Sequence, residues 1–146
     1  MQLNTSASVI SFAKQLEADS AAFYEKMAER HPKAKEVFLA FSKENNNYAT
    51  MIQRAYYGVI TDAIEGCFAF TVETDKYVFK AEPEKEASFA DALNQAIDME
   101  HKVISFYTDA AEQSKAFMAD VPRTFLIVAK KRKGREDKLR TLLKET

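Results

Sequence analysis

Apolar residues recur at helical spacing through four separate stretches of the chain. In the first, Val9, Phe12, Ala13, Leu16, Phe23 and Met27 line one face of a helix over about 6–30. Thr5 or Ser6 can cap its start, and Pro32 stops it, because the residue before a proline resists the helical region. A second helix, over about 32–57, takes Pro32 into its first turn and buries Val37, Phe38, Phe41, Ile52 and Tyr56; Gly58 ends or bends it. The third, over about 88–115, opens with Ser88 and Asp91 as a capping pair. Its stripe is Phe89, Leu93, Ala96, Ile97, Val103, Ile104, Tyr107 and Ala111. The fourth, over about 121–144, follows Asp120 with Pro122 in its first turn and carries Val121, Phe125, Val128, Ala129, Leu139, Leu142 and Leu143. Residues 58–87 lack this period and read as a long crossover with a short helix and a β-prone piece at 68–72. Its aromatics Phe68, Phe70, Tyr77 and Phe79 are expected to cover one end of the bundle.

The connection between the first two helices is very short, which makes them antiparallel neighbours. Two such hairpins joined by a long crossover describe an all-α, up-down-down-up four-helix bundle. A length of 146 residues suits one domain, spanning 1–146. Three glycines and three prolines are too few for the turns of a β-sandwich or barrel. No Gly-rich phosphate loop is present. The net charge of -1 offers no basic field for nucleic acid or an anionic membrane. A single cysteine, Cys67, excludes an internal disulfide and a cysteine-based zinc site. No leader pattern opens the chain, and no stretch approaches the roughly 20 apolar residues of a membrane span. These features lead to the expectation of a cytoplasmic protein.

The two hairpins repeat one another. Residues 15–30 align without gaps on residues 98–113, so that Glu17 falls on Glu100, Phe23 on Phe106, Tyr24 on Tyr107, Ala28 on Ala111 and Glu29 on Glu112. The second and fourth helices match more loosely: Phe38 falls on Phe125, Phe41 on Val128, Ser42 on Ala129, Asn45 on Arg132 and Tyr48 on Arg135. Glu17, Asn45, Glu100 and Arg132 all sit within or beside apolar stripes, one per helix. An unpaired buried charge costs several kcal/mol or more, so four polar insertions at equivalent places are expected to meet. The spacing predicts Glu17 and Glu100 in the interior, paired with Arg132 or Arg135, with Asn45 and Tyr48 completing the hydrogen bonding. Tyr24 and Tyr107 read as core aromatics, His31 as solvated, and His101 as a rim residue, about 100° around the helix from Glu100.

Together these features resemble the rubrerythrin branch of the ferritin-like superfamily, over nearly the whole chain. The resemblance rests on the paired E-x5-[FY]-Y segments ending at Tyr24 and Tyr107, the A-E that follows each, and the F-x-x-[hydrophobic]-[small] pattern of the partner helices. It implies a ferritin-like four-helix bundle with a di-iron centre. In that family one Glu comes from each of two helices and a Glu-x-x-His from each of the other two. Glu17 and Glu100 match the single glutamates. The other two helices instead show Asn45-x-x-Tyr48 and Arg132-x-x-Arg135, and no E-x-x-H occurs in the chain. A one-residue shift would offer Glu44-x-x-Asn47, but the first register keeps Phe38, Phe41 and Ser42 in the family's apolar places. Two carboxylates remain and two guanidinium groups have arrived, so the charges cancel without metal.

The departures from the family's pattern therefore lead to the expectation of a non-catalytic ferritin-like protein with a degenerate site, no metal or other cofactor, no catalytic residue, and a binding or assembly role. The alternative is a rubrerythrin-like iron-binding oxidoreductase or a mononuclear metal binder with a rearranged site of Glu17, Glu44 and Glu100, with His101 in support. The absence of any C-x-x-C for an electron donor counts against the former. The basic run 130–135 resembles a nucleic-acid or anionic-surface patch. Residues 130, 131 and 133 lie off the apolar stripe, so it reads as a solvated face, with no nucleic-acid or membrane partner. Gly134 within it is expected to mark a bend or a close contact. A dimer or higher homo-oligomer is expected, beside a protein partner that the sequence does not name.

Overall fold

The computed structural model describes residues 1–59, 68–115 and 120–146. Among them are four long helices: α1 Ser6–Arg30, α2 Lys35–Val59, α3 Phe89–Ser114 and α4 Asp120–Lys144. Local signals set their ends. The Thr5 hydroxyl accepts from the Ser8 amide at 3.2 Å and Ser88 Oγ accepts from the Asp91 amide at 3.0 Å, each satisfying a donor that a helix start leaves open. His31 N–H closes α1 on the Met27 carbonyl. Pro32 starts a single 3₁₀ turn, Pro32–Ala34, so α2 begins three residues later than the sequence suggested. Gly58 does not end α2, which continues to Val59.

α1 packs on α2 and α3 on α4 as hairpins. Across the bundle, Tyr24 reaches Glu100 while Glu17 meets Tyr107, so α1 and α3 run antiparallel. Likewise Arg135 bonds the Phe41 carbonyl while Arg132 lies against the Tyr48 ring, so α2 and α4 are antiparallel too. The up-down-down-up order follows. The core between the helices is aromatic in its middle. Phe106 meets Phe12, Tyr77, Tyr107 and Phe125 edge-on, and Tyr24 sits among Phe23, Phe38 and Phe41. Fully burying a side chain of this size stabilises by about 1.5–3 kcal/mol.

Two strands also appear, β1 Gln2–Thr5 and β2 Phe68–Glu73, paired antiparallel with Leu3 opposite Val72 and an irregularity before Thr5. The β-prone run at 68–72 is thus an extended piece as expected, but its partner at the N-terminus was not foreseen. The described part of the crossover holds a single 3₁₀ turn, Thr74–Lys76, after the strand, while Gly66, Cys67 and the Phe68 side chain lie outside the described residues. The rest of the crossover corrects another expectation: it covers a side of the bundle, not an end. It runs along α3, from Thr71 bonded to Gln113, through Tyr77 on Asp109 and Lys102 on the Val78 carbonyl, to Glu84 bonded to Gln95. Phe70 and Tyr77 are buried there, and Phe79 is partly buried. Arg30 at the end of α1 holds the far end through the Pro83 carbonyl at 2.9 Å. No helix among the described residues is long and apolar enough to cross a membrane.

Candidate functional site

Each helix sends a polar side chain to the middle of the bundle. Glu17 and Glu100 are 1% and 0% exposed, Asn45 and Arg132 0%, and Arg135 3%. Arg132 is the hub. Its Nη2 and Nε donate to Glu17 Oε1 and Oε2 at 2.7 and 3.3 Å, and its Nη1 donates to Glu100 Oε1 at 2.6 Å. One guanidinium therefore bridges two carboxylates from different helices, its planar fork matching Glu17 at both oxygens. Arg135 comes next along α4. Its Nη1 lies 3.6 Å from Glu100 Oε2 and donates to Asn45 Oδ1 at 3.1 Å, while Nη2 donates to the Phe41 carbonyl. Asn45 Nδ2 returns a bond to Glu17 Oε1 at 2.7 Å.

Two phenols complete the set. Tyr107 donates to Glu17 Oε2 at 2.5 Å and Tyr24 donates to Glu100 Oε2. All four carboxylate oxygens are thereby engaged. Burial first, and then the carboxylate each one touches, pushes both phenols well above their ordinary pKa, so they act as hydrogen-bond donors. For Arg132, burial works against the charge, but Glu100 and Glu17 outweigh it and hold its pKa well above the ordinary value. The guanidinium of Arg135 also lies over three rings, Phe41 and Tyr48 at 4.9 Å and Tyr24 at 5.4 Å from their centres, an attraction between the cation and the π faces. Its Nε finds no hydrogen-bond partner among the described residues.

The residues read from the sequence as the centre of the site, Glu17, Asn45, Glu100, Arg132 and Arg135, are thus brought together. Tyr48 is a correction. Its hydroxyl turns to Glu44 at 3.4 Å instead of joining the carboxylate cluster, and its ring, not its oxygen, serves the two arginines. Tyr24 and Tyr107 are core aromatics as read, yet they are also the two phenolic donors of the site. Their position two turns beyond the repeated glutamates, on the same helix face, was the available signal. Glu44 is 45% exposed, with Arg135 at 3.9 Å, and does not converge with Glu17 and Glu100. Among the described residues no three His, Cys, Asp or Glu side chains are grouped to hold a metal ion.

A third buried carboxylate, outside the central cluster, was missed. Glu136 of α4 is 3% exposed and sits under His101 of α3 at 2.8 Å, with Arg140 at 2.9 Å and Lys133 at 3.2 Å. Burial alone would raise its pKa, but the bonds from Arg140, His101 and Lys133 prevail and pull it down to about 2. Arg140 and Lys133 stand one turn either side in the sequence, whereas His101 comes from the neighbouring helix and only the fold supplies it. His101 itself, 49% exposed, is the rim residue expected. His31 is not fully solvated. It packs on Phe89 with ring centres 5.0 Å apart, and burial, aided by Arg30, lowers its pKa. Gly134 is exposed, and no described residue stands within 4 Å of where a Cβ would be, so the expected close contact is not found among the described residues.

Compared with known proteins, the chain matches no family model, no curated protein and no solved structure.

Proposed function

We propose that the chain is a non-catalytic, ferritin-like helical bundle in which a Glu/Arg cluster stands where the rubrerythrin-like family holds two irons, and that it serves a binding or assembly role. The observation that carries this reading is Arg132, whose guanidinium lies between Glu17 and Glu100 at 2.6–2.7 Å. The residues do not fit a di-iron centre. Such a centre needs anionic oxygens and neutral imidazoles with free lone pairs. Here the carboxylate oxygens already accept from Arg132, Asn45, Tyr107 and Tyr24, and the helix that would supply a Glu-x-x-His supplies two fixed cations. Arginine cannot shed its proton in a protein, so it repels a divalent cation at any working pH.

The rearranged-site alternative, with Glu17, Glu44 and Glu100 as ligands, is less well supported, because Glu44 faces the surface beside Arg135. Metal analysis of protein purified from cultures supplemented with iron, manganese and zinc tests the reading. We expect far less than one metal per chain and no oxidase or peroxidase activity. Two irons, or one tightly held ion lost on Glu44→Gln, would overturn it.

A further inference from the structure

We propose that the chain pairs with a second copy of itself through the outer face of the α3–α4 hairpin, the α3 of each copy lying across the α4 of the other. The inference builds on the assembly role above and names its partner. The two helices of this hairpin carry opposite charge on their outer faces. Along α3 the exposed side chains include Asp91, Asp98 and Glu112, separated by Asn94, Ser105 and Thr108. The cation Lys102 is turned away to the crossover, where it donates to the Val78 carbonyl. Along α4 the exposed positions include Arg123, Lys130, Lys131, Lys138 and Lys144, against Asp137 and Asp120, the latter paired with Arg123. Asp91, Asp98, Lys130, Lys131 and Lys138 form no ion pair with any described residue.

The two strips also match in level. His101 meets Glu136 and Tyr107 packs on Phe125, which sets the two helices antiparallel and their levels to within about a turn. One turn beyond the first pair, Asp98 on α3 stands level with Lys138 to Arg140 on α4. Between the two pairs, Ser105 stands near the level of Lys130, and beyond the second Glu112 stands near Arg123, Glu112 already held by Lys115 and Arg123 by Asp120. A two-fold axis parallel to the helices would set each acidic strip on the partner's basic strip at these same levels, a self-complementary surface. Leu126, 52% exposed, and Ile127, 40% exposed, would supply apolar contact in the basic strip. Gly134 would let a partner helix approach closely. A glycine inside a helix is unfavourable, and none of the described residues comes close enough to call for it. An extended polyanion is the poorer fit, because the basic strip is one helix wide and lies directly beside an acidic one.

The test is sedimentation of the full chain across micromolar concentrations at low and high salt. We expect a dimer at low salt whose dissociation constant rises about tenfold or more in high salt, since exposed charges are screened. Two variants sharpen it. Lys130→Glu with Lys138→Glu makes both strips acidic, and Asp91→Lys with Asp98→Lys makes both basic. Each alone should be monomeric, and mixing the two should restore a one-to-one dimer, which a folding defect would not do. A wild-type monomer throughout, including one that binds heparin instead, overturns the proposal, as does a dimer indifferent to both variants. These readouts are masses, so they leave the metal reading of the buried cluster to its own experiment.

Discussion

The two hairpins share one pattern and differ in where their charge lies. In the first, the inward residues are Glu17 and Tyr24 on α1 with Asn45 and Tyr48 on α2. In the second they are Glu100 and Tyr107 on α3 with Arg132 and Arg135 on α4. The glutamate–tyrosine halves are equivalent, and each phenol crosses the bundle to the other hairpin's carboxylate. The partner helices are not equivalent: α2 offers neutral hydrogen-bonding groups and α4 both cations. A centre that is near-symmetric in its anions is thus neutralised from one helix. The difference continues at the surface of the pair. Glu136 and His101 tie α3 to α4, whereas the matching positions in the first hairpin are Ala49 and Ala18.

The largest effect should come from breaking that asymmetry at its hub. Arg132→Met strands two buried carboxylates and should lower stability by about 3–5 kcal/mol, whereas Asn45→Ala at the matching position should cost about 1–3 kcal/mol. Denaturant unfolding checks both, and equal losses would contradict the hub role. Should Arg132→Met not fold, adding Glu17→Gln should recover a folded bundle, because the one remaining carboxylate, Glu100, is then balanced by Arg135.

Next come the symmetric halves. Tyr24→Phe and Tyr107→Phe each remove one phenolic donor from a buried carboxylate. Each should cost about 1.5–3 kcal/mol, and the two values should agree within about 0.5 kcal/mol. A marked difference would show that the two carboxylates are not held alike.

The smallest effect belongs to the tie that only the second hairpin has. Glu136 has a folded pKa of about 2 against an ordinary 4.5, so it stabilises the fold above pH 4.5 and loses that contribution as pH falls toward 2. Its three partners are half-exposed and screened, which brings the expected loss for Glu136→Gln to about 1–2 kcal/mol at neutral pH. Wild type and variant should converge near pH 2. A constant gap across that range would assign the effect to packing.

Much of this was legible because it depends on spacing within one helix. Thr5, Pro32 and Ser88 marked helix boundaries through local backbone chemistry, and the repeat of Glu17 in Glu100 pointed both carboxylates inward. What escaped depends on distant partners. The strand Gln2–Thr5 exists because it pairs with Phe68–Glu73, and four residues carry no period of their own. The Tyr48 hydroxyl turned to Glu44 because Arg135 already fills the space toward the centre. Tyr24 and Tyr107 were legible as buried rings, but a phenol's acceptor is known only once the opposite helix is in register.

The central proposal is that Arg132 and Arg135 stand at positions equivalent to the ligands of a di-iron centre. Its most direct test is the metal content of the variant Asn45→Glu, Tyr48→His, Arg132→Glu, Arg135→His, measured beside the unmodified chain after reconstitution with ferrous iron. The account predicts near two irons per chain in the folded variant and none in the unmodified protein. Iron bound by the unmodified chain, or a folded variant that takes up no metal, would contradict it.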